Sequence, residues 1–462
     1  MRSSSLRAIN RRITDASGFA AAMCDDPGTA VRLSATPDRL KSHSLNQAHS
    51  RLPRQDDLAG VSLLGTTLSS FTERTAMPVP SSSAHPSRIP KTTWLKLGWA
   101  WLVVIAFTVY GGTWLAQPLT PMAAMLCFGV LFFTIVAASF GVVHEADLLA
   151  HKLGEPYGTL ILTLSIVSIE VILIASMLLG PGEFPTIGRD SIFAVMMIIL
   201  NLVMGLCLVV GGLKHGEQEY NAQGANAYLT MIVLLTGTAL VLPNYLSGAG
   251  EFTTLQAWTI AAITAGLYAV FLGLQMGREK RLFIQPPAGQ MAVAAGSATP
   301  APNEPATESG DNTSIWRSSA LLLGMIIPIV LLAHHLAIVI DYGVVTAGAP
   351  IAVSGVLIAI IVFTPESLTA IKAARSNEMQ RSVNLCLGAF VSTVGLTVPA
   401  VLVIGLVTGK QVIMGISMLE TVLLGLTVLL GMLSFNGQRT SVMQGAMHLA
   451  LFAVYGFLLF NP

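Results

Sequence analysis

Residues 155–180 read EPYGTLILTLSIVSIEVILIASMLLG, an apolar stretch long enough to cross a bilayer with Glu170 near its middle. A spanning helix needs about 20 largely apolar residues. A carboxyl group at that depth costs on the order of 2.5–3.5 kcal/mol even on lenient insertion scales, so it must face a polar cavity or a partner. Residues 350–374, PIAVSGVLIAIIVFTPESLTAIKAA, repeat the arrangement with Glu366. Two acids on two separate spans point to a route for cations or protons.

Composition agrees with a membrane chain. Hydrophobic residues make up 53% of the 462 and charged residues 11%, against about 25% charged in soluble domains. The net charge of +1 offers no global field for nucleic acid. No Walker A motif is present, so coupling to a nucleotide is not expected. Cys24, Cys127, Cys207 and Cys386 show no CxxC pair or metal spacing, and the last three lie in apolar runs as small hydrophobes.

Residues 1–92 are rich in Arg, Ser, Pro and Asp and hold no spanning run; they read as a disordered extension, with translation from Met77 as an alternative. From Thr93 onward the ~20-residue rule gives about eleven spans, near 93–112, 120–143, 157–180, 190–213, 226–247, 253–277, 318–340, 345–372, 382–409, 411–433 and 439–460. The expected fold is therefore an all-α polytopic membrane protein. Lys152, Lys214, Arg278, Lys280, Arg281, Lys372, Arg375, Arg381 and Arg439 fall in one set of loops, whereas the alternate set holds Arg189 and Lys410. Positive residues belong on the cytoplasmic side. That orientation leaves the N-terminus cytoplasmic and the C-terminus periplasmic in a bacterial inner membrane.

The linker 278–317 starts with REKR and continues as a Pro/Ala/Gly/Ser segment. It separates 93–277, one span plus five, from 318–462, five more. Five is odd, so the second group starts from the opposite face, as an inverted repeat does. Glu170 and Glu366 each lie on the second span of their group.

Other candidates are weighed against structural roles. Carboxylate oxygens at Glu170 and Glu366 suit a hard cation such as Ca²⁺, bound when they are ionised and released when they are protonated. Pro365 is expected to interrupt the ladder beside Glu366 and free a carbonyl. On the third spans Asn201 and the region of Gly388, Ser392 and Thr393 offer neutral oxygens, or else packing contacts between helices. Glu420, inside the tenth span, is a candidate proton relay or a structural pair. Adjacent His334 and His335 point to different faces of one helix, and His334 is a second relay candidate. The cluster HEADLLAHKLGEP (His144, Glu145, Asp147, His151, Lys152, Glu155) reads as a solvated connection, with a cation-attracting vestibule as the alternative. Residues 211–224, GGLKHGEQEYNAQG, are read the same way.

With these residues in view, the chain resembles the Ca²⁺:cation antiporter superfamily, most closely its bacterial ChaA-type Ca²⁺/H⁺ (Na⁺/H⁺) antiporters. The resemblance covers about 93–462 and rests on HKLGEPYGTLILTLSIVSIEVILIASMLLG, GGLKHGEQEYN and TPESLTAIKAARSNEMQRSVNLCLGAFVSTVGLTVPAVLVIG. It implies eleven spans as one plus five plus five, and essential acids at Glu170 and Glu366. It also implies polar positions at Asn201 and Ser392, no resident cofactor, and transport of Ca²⁺, Na⁺ or K⁺ against H⁺. The sequence departs from the wider pattern at Ile166-Val167, Val362-Phe363 and Ser367, which reduces the oxygen ligands and makes Na⁺ or K⁺ credible beside Ca²⁺. The alternative is a channel or uniporter using the same acids as a selectivity ring. No nucleophile–base pair on the spans points to an enzyme.

Overall fold

The computed structural model describes residues 91–116, 119–153, 157–180, 184–246, 250–286 and 312–461. The expected extension up to residue 90, Cys24, Glu155 and linker residues 287–311 lie outside them, as do the side chains of His151 and Lys152. The described residues form helices α1 Lys91–Trp114, α2 Pro121–Leu153, α3 Tyr157–Leu178, α4 Ile187–His215, α5 Ala222–Val241 and α6 Thr254–Met276. After the linker come α7 Asn312–Ala347, α8 Ala352–Arg375, α9 Met379–Thr408, α10 Met418–Ser434 and α11 Val442–Phe460. Among the described residues nine helices are long and apolar enough to cross a membrane, and two shorter apolar ones, Thr163–Leu178 and Met418–Ser434, stand where the third and tenth spans are expected.

Three helix starts are written in capping boxes: Thr253 with Gln256 opens α6, Ser417 with Glu420 opens α10, and Ser441 with Gln444 opens α11. Each box satisfies backbone N–H groups that the first turn leaves orphaned. The tenth helix consequently begins at Met418 and not near 411, and residues 411–417 run as an extended connection. Three stretches widen to π-helix: Met197–Val203 in α4, Gly237–Val241 at the end of α5 and Thr393–Thr397 in α9. Single π turns of this kind concentrate at functional sites.

The helix pairs come in matched sets when α2–α6 is laid beside α7–α11. Helix α2 packs along α7; α4 packs on α11 as α9 packs on α6; α4 meets α8 as α9 meets α3. Helix α1 lies outside both groups against α2 and α7. Small residues permit the closest approaches, the usual material of helix contacts in lipid. A Cβ built on Gly355 of α8 would stand 2.7 Å from the backbone of Asp190 and Ser191 in α4. One built on Gly445 of α11 would stand 2.9 Å from the Gly205 carbonyl of α4.

The loops gather into two layers. At one end Lys214 and His215 donate to the Arg375 carbonyl, Arg439 pairs with Glu217 at 3.2 Å, and Gln285 bonds both Glu219 and Gln380. Buried Tyr220 adds a hydrogen bond to the Gly437 carbonyl at 2.7 Å, and burial pushes its phenol well above the usual range. At the other end the strand-like run around Ile413 bonds Pro185 and Gly250, while Asn244 donates to the Ile416 carbonyl. The basic loops thus meet one another, apart from the loops poor in Lys and Arg.

Candidate functional site

Helix α3 carries Glu170 into the packed interior, where it is fully buried. Two serines of that helix do not compete for it. Ser165 and Ser168 return their hydroxyls to their own helix, at the carbonyls of Ile161 and Leu164, each at 2.6 Å. The partner comes from the π-helical segment of α9: Thr393 Oγ1 donates to Glu170 Oε2 at 3.0 Å. Thr397, one turn along, lies beside the same carboxyl. Its Oγ1 and the Glu170 Oε1, both buried, approach without closing a hydrogen bond of normal geometry.

Helix α8 carries Glu366, and it runs uninterrupted through Pro365. The expected break is absent. Membrane helices tolerate an internal proline; the Ile361 carbonyl still loses the N–H that Pro365 lacks, while Thr364 and Thr369 bond the neighbouring carbonyls of Ile360 and Pro365. Glu366 Oε2 is buried without a partner, and the two carboxyls lie within electrostatic reach of each other. Glu366 also lines two cavities. One, about 280 Å³, carries Lys280, Arg381, Asn384 and Ser392 on its walls. The second, about 230 Å³, is walled by His144, Asp147, Lys372 and Arg381. Glu170 lines neither. Among the described residues no three His, Cys, Asp or Glu side chains group as metal ligands.

The cluster from His144 is only in part the expected solvated connection: His144 is exposed, but the backbone there is helical. Helix α2 continues to Leu153, Glu145 is buried, and His144 and Asp147 stand on the wall of the cavity that reaches Glu366. The polar residues sit on the helical extension of an apolar span, so hydropathy ends there while the backbone ladder does not. Residues 211–224 form a structural clamp: Gln218 reaches the Ala374 carbonyl and Asn377, and the Asn221 N–H donates to Gln380.

Of the remaining candidates, Ser392 lines the larger cavity and turns its hydroxyl to the Ala389 carbonyl at 2.8 Å. Its neighbour Thr393 is the residue bonded to the acid. Asn201 lies fully buried in the π-helical segment of α4 and faces another set of partners. Its Nδ2 donates to Thr427 Oγ1 at 3.0 Å, which turns Oδ1 toward His448 Nδ1 at 3.2 Å. That orientation requires the proton on Nδ1, and His448 Nε2 then accepts from Ser434 Oγ at 3.1 Å. His448, Thr427 and Ser434 were not among the residues singled out from sequence. Among histidines in apolar runs, only the His334-His335 doublet stands out in the sequence.

Glu420 is not inside its span but in the first turn of α10, where its Oε2 accepts from the Ser417 N–H at 2.8 Å. It lines a cavity of about 380 Å³ with Arg189 and Asp190. Asp190, expected at a span boundary, is buried there between Arg189 at 3.1 Å and Thr186 at 2.7 Å. His334 is exposed, and His335 packs edge-on against Phe107 of α1 at 5.5 Å. Neither histidine lines the cavities that reach Glu366. Cys207 and Cys386 are buried free thiols that share a hydrogen bond between α4 and α9, and Cys127 is buried and free.

Comparison with known proteins identifies the family and the fold. The family model described as sodium/calcium exchanger protein matches residues 123–277 and 317–461. The sodium-potassium/proton antiporter ChaA of Escherichia coli is 36% identical over 329 residues, 71% of this chain and 86% of that protein. A Sinorhizobium fredii protein, y4hA, named for ionic transport, is 34% identical over 360 residues, 77% of this chain and 94% of its own length. Among solved structures native YfkE superposes with a TM-score of 0.61 at 19% identity, covering 80% of this chain and all of that one, and so shares the fold.

Proposed function

The chain belongs to the sodium/calcium exchanger protein family, and from that premise we propose that it is a secondary-active cation/proton antiporter whose shared binding groups are Glu170 and Glu366. The observation that carries this reading is the pair of buried carboxyl groups within reach of each other, each keeping one oxygen without a partner. Buried polar atoms are otherwise almost always satisfied, and an orphan calls for an ion or a proton. Two carboxylates supply a charge of −2, which suits one Ca²⁺ or one to two monovalent ions, and the same oxygens take protons when the cation leaves. Thr393 and Thr397 add neutral oxygens on the Glu170 side, and Ser392 adds one on the Glu366 side. The E. coli relative's name pairs sodium and potassium with protons; we carry that pairing to this chain alongside Ca²⁺.

Access follows from the cavities. Glu366 is reached past Lys280, Arg381 and Lys372, residues of the basic loops. On the positive-inside rule those loops are cytoplasmic, so the conformation is one open inward, in an inner membrane with the C-terminus outside. Alternation would come from one five-helix group moving against the other. The matched packing of α2–α6 and α7–α11 supports reading them as inverted repeats. Glu420 and His334, which line neither cavity, have no step in this cycle.

The test uses everted membrane vesicles energised to an acid interior and loaded with a pH-sensitive dye. Addition of Ca²⁺, Na⁺ or K⁺ is expected to dissipate the gradient with the parent chain, and with neither Glu170→Gln nor Glu366→Gln. Gln variants that behave like the parent would overturn the assignment of these acids. Cation flux without proton movement would favour a channel.

A further inference from the structure

The π-helical segments of α4 and α9 occupy corresponding places in the two groups, yet they treat the two acids differently. Thr393 of α9 gives its hydroxyl to Glu170. Asn201 of α4 gives nothing to Glu366. Its amide is spent on Thr427 and His448, while Glu366 Oε2 stays buried and unpartnered. Helix α8 packs against the π-helical segment of α4, and Cys207, further along α4, bonds Cys386, whose thiol lies in the field of Glu366.

We propose that His448 is a positioning residue that holds Asn201 withdrawn from the transported cation in the inward-open state, and that breaking the His448–Asn201 bond delivers the amide oxygen to the cation beside Glu366. The inference rests on the antiporter reading. The chemistry of the network favours such an exchange of partners. With its proton on Nδ1, neutral His448 is satisfied between Asn201, the Leu200 backbone and Ser434, so it keeps a partner when Asn201 leaves, and the withdrawn amide has lost no hydrogen bond. A cation would return to Oδ1 what His448 gives up, since an amide oxygen is a hard ligand. Helix α11 is held tightly to α4 where Gly445 meets Gly205. The Asn201 side chain is then the moving part, turning about its own bonds while His448 stays in place. By helix register from the capping boxes, the position of α6 that corresponds to His448 is Ile260. The device therefore belongs to one half of the molecule.

The test is the cation dependence of proton flux in proteoliposomes of the purified full chain, with Ca²⁺, Na⁺ and K⁺ each as the probe. Apparent affinity is reduced by the fraction of molecules not in the binding-competent state. Loss of one net hydrogen bond from the withdrawn state should therefore lower the half-saturating concentration in His448→Leu by about three- to tenfold. His448→Asn, which keeps a donor for Asn201 Oδ1, is expected within about twofold of the parent, a rescue that a purely structural role would not produce. Thr427→Val removes the other partner of Asn201 with little change of shape; it should shift half-saturation the same way and serves if His448→Leu does not fold. An unchanged or higher half-saturating concentration in the folded variants, or the same shift in His448→Asn as in His448→Leu, overturns the proposal. If Glu170→Gln and Glu366→Gln abolish exchange while the His448 variants behave like the parent, only this inference falls. Exchange retained in the Gln variants brings down the antiporter reading as well.

Discussion

Thr393 is the residue on which the treatment of Glu170 turns, since its hydroxyl donates to that carboxyl at 3.0 Å. A hydrogen bond to a charged group is worth about 1.5–3 kcal/mol, so Thr393→Val should raise the half-saturating cation concentration about tenfold or more. Thr393→Ser keeps the donor and should stay near the parent; titration of cation-driven proton flux checks both. The two acids were legible in the sequence because a carboxyl in an apolar run is costly and stands out. Thr393 was not separable from Ser392, because hydroxyls in membrane helices serve equally as packing material, and only the π turn decides which of the two meets Glu170. His448 escaped notice for a related reason. A single histidine in a span carries no sign of its partners, and those of His448 come from residues 201 and 434, brought together by the fold.

At the scale of helices, order and approximate position were readable from hydropathy, but ends were not. Helices α2 and α7 outrun the expected spans 120–143 and 318–340, reaching Leu153 and Ala347. Polar residues such as Glu145 and Asp341 stop a hydropathy window without stopping backbone hydrogen bonding. Capping chemistry set the start of α10 instead, with Ser417 and Glu420 closing its first turn. Crossings between helices depend on small residues that composition does not single out. Gly355 is such a point, because any Cβ there meets backbone atoms of α4, which cannot turn aside. Gly355→Val should cost on the order of 1–3 kcal/mol and lower the melting temperature of the purified protein. Gly343→Ala on α7, where nothing lies within 4 Å, should not lower it and should raise it slightly, since alanine favours the helix.

For the whole molecule, the charge pattern of the loops anticipated which of them would gather: those rich in Lys and Arg lie together at the end where the cavities reach Glu366. The cavities themselves had no sequence signal, since their walls are made by side chains of α2, α3, α5, α6, α8 and α9 together. In a background without cysteine, Asn384→Cys on the wall of the larger cavity should react with a membrane-impermeant thiol reagent in everted vesicles, and Met418→Cys at the opposite end only in right-side-out ones. The reverse pattern would invert the orientation.

Coupling itself is tested most directly with purified protein in proteoliposomes, the membrane potential clamped and a pH dye inside, after a cation gradient is imposed with no initial pH difference. Antiport at Glu170 and Glu366 predicts that an outward gradient of Ca²⁺, Na⁺ or K⁺ drives protons inward and acidifies the lumen against the growing pH difference, and that both Gln variants stay flat. Cation efflux that leaves the lumen pH unchanged would contradict the account.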